Sequence, residues 1–292
     1  MRGAGSPATS RTVSECLLEV WGDPVAHSLS PRMHAAAYAH LGWDWSYGRR
    51  RVDAAGFAAE LASLGARYRG LSLTHPLKAE AFRASADHDR NAELTGAVNT
   101  LVIADGRLGG FNTDVGGIVA DLRALEASPL DRARIIGAGA TAMSALVALG
   151  ELGTREVEIL ARRPEAAAVL VALGARIGVT VTVADATAVP ASVSSSAPLT
   201  ISTLPGGAAL PEPVTDMLAA GGGLLYDVVY GHWPTPLATA WQDAGARAVN
   251  GLGMLLHQAV LQIRAFATGG VTEPLPDEDA VVDVMRAALV ED

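Results

Sequence analysis

Lys78 stands where helix physics disfavours it. In the stretch Ser72-Leu73-Thr74-His75-Pro76-Leu77-Lys78, Pro76 suits the first turn of a helix, since it lacks the amide hydrogen that this turn leaves unpaired. Lys78 then falls beside the positive end of the helix macrodipole, where a cation costs a few tenths to about 1 kcal/mol. A lysine kept there is either a solvated surface residue or a group with a chemical task. Asp114 supplies a possible partner, because both residues fall at expected strand-to-helix connections, where open α/β sheets bind ligands. A lysine paired with a carboxylate can move a proton during carbonyl reduction, provided its surroundings bring its pKa toward neutrality. The competing expectation for Asp114 is a helix cap.

Residues 97–104 and 107–112 are strand-like and are joined by Asp105-Gly106, a dipeptide that closes two-residue hairpins. With those two residues as the loop, Asn99 faces Asn112, and Asp114 lies on the same face as Asn99 if the strand continues. An amide and a carboxylate then stand side by side. Gln258, within the apolar run 254–263, is a polar group on a face expected to be buried, with an ordinary surface glutamine as the alternative. Ser28 and Ser30 flank Leu29 just before Pro31. Ser30 is expected as an N-cap, and the two hydroxyls lie near a helix start that could receive an anion. His75 and His257 are expected to be structural.

A second chemistry begins at residue 134. Arg134-Ile135-Ile136-Gly137-Ala138-Gly139-Ala140-Thr141-Ala142 is a strand running into a GxGxxA turn that opens a helix. The first glycine permits the tight turn, and the second lets the backbone approach a pyrophosphate seated on the helix N-terminus. At the end of the next strand, where a site for NAD carries an acid for the ribose 2′-hydroxyl, the chain has Ala161-Arg162-Arg163. Two guanidiniums in place of an acid point to a 2′-phosphate and hence to NADP. Solvated arginines are the bland alternative.

The elements that must position these groups alternate as strand and helix. Residues 14–21 are expected as a strand, 31–41 as a helix stopped by Gly42, and 54–64 as a second helix. Residues 70–74 are expected as a strand and 77–84 as a third helix. Gly116-Gly117 and a helix over 118–125 place a boundary near residue 115. Beyond it, strands at 133–136, 157–161, 179–184, 199–203, 223–229 and 247–249, with helices at 141–149 and 165–173, suit a doubly wound nucleotide-binding sheet. Helices over 253–267 and 277–289 are expected to pack back on the first domain. Residues 189–198 are rich in Ser, Ala and Pro but form neither a repeat nor a linker.

Composition limits the function. The 292 residues are 50% hydrophobic, enough for buried cores in two domains or one large one. A formal charge of −9 argues against nucleic acid or an anionic membrane as the main partner. No apolar run is long enough to span a bilayer. The first twelve residues, expected to be a loose tail, carry no signal-peptide hydrophobic region. One cysteine, Cys16, excludes an intramolecular disulfide. With no CxxC pair and the seven histidines scattered, a zinc site is not expected, and a reducing cytoplasm is the natural setting.

The segments GDPVAHSLSPRMH, SLTHPLK, GAVNT, FNTD, GAGA, VVYGHWPTPL and GLGMLLHQA, in this order over about residues 20–290, resemble the shikimate dehydrogenase family. That resemblance implies NADPH-dependent reduction of 3-dehydroshikimate to shikimate, in aromatic amino-acid biosynthesis, by a two-domain α/β protein. The expected fold is an N-terminal α/β substrate domain (13–115 plus 252–292) and a Rossmann-type doubly wound NADP-binding domain (116–251). It implies Lys78 and Asp114 as the catalytic dyad and Ser28 and Ser30 as holders of the substrate carboxylate. Thr74, Asn99 and Gln258 would bind the ring hydroxyls, with Tyr230 also at the pocket. Gly137, Ala138, Gly139 and Ala140 would cradle the pyrophosphate, Arg162 and Arg163 would meet the 2′-phosphate, and Thr203 and Gly253 would lie near the cofactor. The chain departs from the pattern at Ser72, where asparagine is common, at His232, where proline is common, and at Ala140, often glycine. A paralogue acting on quinate or an amino-shikimate, possibly with NAD, and a non-catalytic NADP-binding sensor are the alternatives. The expected partner is a small molecule, with no nucleic acid and no membrane, and the expected assembly is a monomer or homodimer.

Overall fold

The computed structural model describes residues 16–127, 130–189, 196–231 and 233–290. The expected N-terminal tail, residues 14 and 15 of the first expected strand, residues 190–195 of the Ser/Ala/Pro-rich stretch and His232 lie outside the described residues.

The described residues begin with β1 (Cys16–Gly22), α1 (Ser30–Leu41), β2 (Trp45–Arg51), α2 (Phe57–Ala62), β3 (Tyr68–Leu73) and α3 (Lys78–Ala84). It continues with β4 (Asp87–His88), α4 (Arg90–Thr95), β5 (Thr100–Ala104) and β6 (Arg107–Phe111). These strands make one sheet in the order β2-β1-β3-β5-β6-β4. β5 is antiparallel to both its neighbours, while every other pairing in the sheet is parallel.

α5 (Thr113–Ala124) leads into the second sheet through β7 (Arg132–Ile136), α6 (Ala140–Glu151), β8 (Glu156–Ala161), α7 (Ala168–Ile177) and β9 (Thr180–Asp185). β10 (Leu199–Ser202), α8 (Glu212–Ala220), β11 (Leu224–Asp227), α9 (Pro236–Asp243) and β12 (Ala248–Val249) complete it. Its order is β12-β11-β10-β7-β8-β9, all parallel. One face buries Ile135, Val157 and Ile159 under Leu146 and Leu149 of α6. The other buries Ile136, Leu160 and Leu225 under Leu218 of α8 and Trp241 of α9. A parallel sheet with both faces covered by helices is the doubly wound arrangement expected from the sequence.

The last helices, α10 (Leu252–Thr268) and α11 (Glu278–Val290), do return to the first sheet. Ile263 and Phe266 of α10 and Met285 of α11 share a core with Leu18 of β1 and Met33 of α1. The opposite face of that sheet buries Trp21, Leu71 and Leu101 against Phe57 and Ala81 of α2 and α3.

Several local expectations shift for physical reasons. Ser30 is not the N-cap of α1: Leu29 occupies that position without a side-chain bond. The Ser30 amide is instead taken by the Ser28 hydroxyl oxygen at 3.3 Å. Pro76 precedes α3 rather than opening it, because the turn from Thr74 to Leu77 closes first and Lys78 is the first helical residue. The helix expected over 54–64 contracts to α2. The hairpin strands begin at Thr100 and end at Phe111, in the predicted register.

α5 starts five residues earlier than expected, at Thr113, capped by the Asn112 side chain, and so runs through the position proposed for a boundary. Gly117 is not a break. A Cβ there would stand 2.8 Å from the Gln258 Cβ and 3.0 Å from the Met254 carbonyl, so this glycine lets α5 and α10 touch. Gly253 does the same from the other side, where a Cβ would meet the Asp121 carboxylate of α5 at 2.0 Å.

Candidate active site

Strand direction gathers the candidate residues at one sheet edge. β1 and β3 run parallel, so the loop carrying Ser28 and Ser30 and the loop carrying Thr74 leave the same end. The Thr74 amide donates to the Trp21 carbonyl there at 2.9 Å. β5 is reversed, so its beginning lies at that edge, and the Leu73 amide donates to the Asn99 carbonyl at 2.7 Å. β6 reverses again and delivers residues 112–114 beside Asn99.

Lys78, first residue of α3, donates from Nζ to Asp114 Oδ2 at 2.5 Å, with the two side chains only 15% and 7% exposed. Asp114 lies in the first turn of α5 and is not its cap: Asn112 Oδ1 takes the Asp114 amide at 3.1 Å. The carboxylate is therefore free to face the lysine. Its second oxygen accepts from Asn99 Nδ2 at 2.8 Å. The orientation of the Asn99 amide is dictated by donors on its other side. The Thr113 amide at 2.9 Å, the Thr113 hydroxyl at 3.1 Å and the Thr100 hydroxyl at 2.9 Å all reach Oδ1, leaving the NH2 for Asp114.

Gln258 of α10 closes the cluster. Its Oε1 lies 3.4 Å from both Asn99 Nδ2 and the Thr113 hydroxyl, and its Nε2 donates to the Leu255 carbonyl at 2.9 Å. Thr113 escaped the sequence reading, although its place between Asn112 and Asp114 was a signal. Ser30 is buried and Ser28 half-buried at the head of α1. Tyr230 follows β11, half-buried, and burial pushes its phenol above the usual range. Among the described residues no hydrogen bond ties Ser28, Thr74 or Tyr230 to the Lys78–Asp114 pair.

The second sheet presents its own edge. β7 has β8 on one side and β10 on the other, so the strand order reverses at β7, the position where such sheets bind ligands. Gly137 has φ +115°, and a Cβ on it would meet the Thr203 hydroxyl at 2.3 Å; that hydroxyl donates to the Ile136 carbonyl at 2.9 Å. Gly139 caps α6, and a Cβ built on it would have nothing within 4 Å. Gly139 and Ala140 are exposed, so the start of α6 is open to solvent, as an anion site requires. Arg162 and Arg163 are exposed just past the end of β8, and neither forms an ion pair among the described residues.

The two edges are joined close to the chemistry. Asn112 Nδ2 donates to the Ser144 hydroxyl of α6 at 3.1 Å, which sets the first turn of α5 against the helix that opens at Ala140. Gly253, expected near the cofactor, lies at the close contact of α10 with α5 described above. Among the described residues no helix is long and apolar enough to cross a membrane.

Residues 20–101 match the model of the shikimate dehydrogenase substrate binding domain. The chain is 36% identical to an NADP-dependent shikimate dehydrogenase of Bordetella avium, over 93% of this chain and 95% of that one. The fold is similar to the crystal structure of Mycobacterium tuberculosis shikimate dehydrogenase, with a TM-score of 0.80 and 36% identity over 93% of this chain and 99% of that one. A shikimate 5-dehydrogenase of Thermus thermophilus, solved in complex with NADP(H) and shikimate, gives a TM-score of 0.77 at 31% identity. That match covers 94% of this chain and 99% of the other.

Proposed function

Because this chain belongs to the shikimate dehydrogenase family, we propose that its two sheet edges form one active site that reduces 3-dehydroshikimate to shikimate, with Lys78 and Asp114 managing the proton. The chain is an NADP-dependent oxidoreductase acting on a small molecule. The single observation that supports the dyad is the 2.5 Å contact of Lys78 Nζ with Asp114 Oδ2 at the same edge as Asn99 and Gln258.

The residues present fit the cofactor. The open space over Gly139 admits a pyrophosphate to the α6 amides, and Arg162 and Arg163 would hold a 2′-phosphate. NADPH, when bound, supplies the hydride that adds to the C3 carbonyl carbon. As the carbonyl oxygen gains charge it takes a proton from Lys78 Nζ, and Asp114 stabilises the lysine cation beforehand. Asn99 holds Asp114 in place, and Asn99, Gln258 and Thr74 present polar groups to the ring hydroxyls. Ser28 and Ser30 bind the carboxylate. Low exposure of the dyad limits competition from water.

In the same reading the protein prefers shikimate to quinate or an amino-shikimate and acts in the cytoplasm as a monomer or homodimer. Initial rates with shikimate and quinate, each with NADP+ and NAD+, test the substrate and cofactor preference. Turnover of shikimate with NADP+ is expected to be preferred; binding of NADP+ with no turnover of either acid would overturn the enzymatic reading.

A further inference from the structure

Asn112 is buried where α4, α5 and α6 meet, and both polar atoms of its side chain are engaged. Its Oδ1 accepts from the Asp114 amide at 3.1 Å, and a backbone amide only donates, so this oxygen must face α5. The NH2 group therefore points toward two hydroxyls. Nδ2 donates to Thr95 Oγ1, at the end of α4, at 2.9 Å and to Ser144 Oγ of α6 at 3.1 Å. Both hydroxyls can accept because their own protons have carbonyls to go to: Asn91 at 2.7 Å for Thr95, and Ala140 at 3.4 Å for Ser144.

The two sides of this junction are unequal. Toward α4 the residue is held twice, since its main-chain amide also donates to Asp89 Oδ1 at 3.1 Å. That carboxylate caps α4 by accepting from the Ala92 amide at 2.7 Å. Toward α6 the hydrogen-bond partner of Asn112 is Ser144, buried one helical turn after Ala140. The helix end that would receive the pyrophosphate is thus separated from the first turn of α5, which carries Asp114, by the side chains of Ser144 and Asn112.

We propose that Ser144 is a positioning residue: through Asn112 it fixes the register of the cofactor edge against the Lys78–Asp114 edge, and with it the approach of the nicotinamide to the substrate carbonyl. The inference rests on the reading that the two edges form one active site. Hydride transfer depends steeply on that approach, an error of about 1 Å costing on the order of 100-fold. Without the Ser144 hydroxyl, Asn112 keeps Thr95, Asp89 and its bond to the Asp114 amide, so the dyad persists and the link to α6 alone is lost. The second ligand to bind must then fix the register itself, which lowers its affinity.

The test is Ser144→Ala, a substitution that favours the helix. Calorimetric titration of shikimate into the free protein and into its NADPH complex reads the register without turnover, because shikimate and NADPH are both reduced and cannot react with each other. Expected are unchanged affinities for each ligand alone and an affinity for shikimate about fivefold weaker in the NADPH complex, the worth of one hydrogen bond. Single-turnover oxidation of shikimate at saturating NADP+ should slow by at least about fivefold. Thr95→Val, which removes a bond on the α4 side, is expected to lower Tm without that loss in the NADPH complex. Equal weakening of shikimate with and without NADPH, an unchanged single-turnover rate, or the same pattern in Thr95→Val would overturn the role. Hydride transfer in the unaltered protein is the control for the active site. If it is present and Ser144→Ala matches it in both measurements, the positioning role alone is lost.

Discussion

Asn99 Nδ2 donates to Asp114 Oδ1 at 2.8 Å while Lys78 takes the other oxygen, so the carboxylate is fixed from two sides before any substrate is present. The lysine is thereby oriented through its partner. Lys78→Ala is expected to cut kcat by about 100- to 10,000-fold, the range for loss of a general acid. Circular dichroism should show little loss of fold, because Asp114 keeps its bond to Asn99 at the sheet edge. Near-normal turnover in the purified variant would remove Lys78 from the mechanism.

Arg162 and Arg163 stand exposed and without carboxylate partners among the described residues, so their substitution should be felt by the cofactor rather than the fold. Arg162→Ala is expected to raise KM for NADPH about 10- to 100-fold, as for loss of a charge-assisted hydrogen bond. KM for NADH, which has no 2′-phosphate, should stay the same. Parallel increases for both cofactors would point to a general loss of the site instead.

Gly253→Ala separates packing from cofactor binding. The added Cβ would meet the Asp121 carboxylate at 2.0 Å, and Asp121 also accepts from the buried Tyr226 hydroxyl at 2.5 Å. The crowding should cost about 1 to 3 kcal/mol and lower Tm of the cofactor-free protein by several degrees. An unchanged Tm with a raised KM for NADPH would show that this glycine serves the cofactor instead.

His34 is fully buried, and desolvation pushes its pKa down from 6.5 to about 3. The unfolded chain therefore binds a proton below pH 6.5 that the folded chain refuses, so stability is full above that pH and is lost as pH falls toward 3. The loss from this one group is about 2 kcal/mol between pH 6.5 and pH 5, at about 1.4 kcal/mol per pH unit. His257, held down chiefly by burial as well, adds with the same sign. Urea denaturation at the two pH values should show a smaller acid loss in His34→Asn than in the unaltered chain. An identical loss would mean that His34 is protonated when folded.

The second sheet and its dinucleotide turn were legible because their signals are local. Gly137 needs its positive φ within a single turn, and the run of Val157–Ala161 strand residues carries its own pattern. The hairpin register was legible for the same reason, since Asp105-Gly106 closes β5 on β6 with only two residues between. Caps were less legible. Ser30 is the cap expected for α1, yet the turn at the helix head puts Leu29 in that position and gives the Ser30 amide to the Ser28 hydroxyl, which no local pattern foretells.

By itself, then, the sequence determined the alternation of strands and helices, the phosphate-binding turn and the candidacy of Lys78 and Asp114, each from residues within a few positions of one another. Only the tertiary structure decided that these two meet. Their contact spans 36 positions and requires the reversal of β5, which brings Asn99 and then residue 114 back to the end of β3. It also decided that Gly117 and Gly253 are points of close helix contact, and that Tyr47, Ser72 and Gln262 form one chain of hydrogen bonds. Those relations join elements far apart in sequence, and they exist only after apolar burial has brought α10 back across the first sheet.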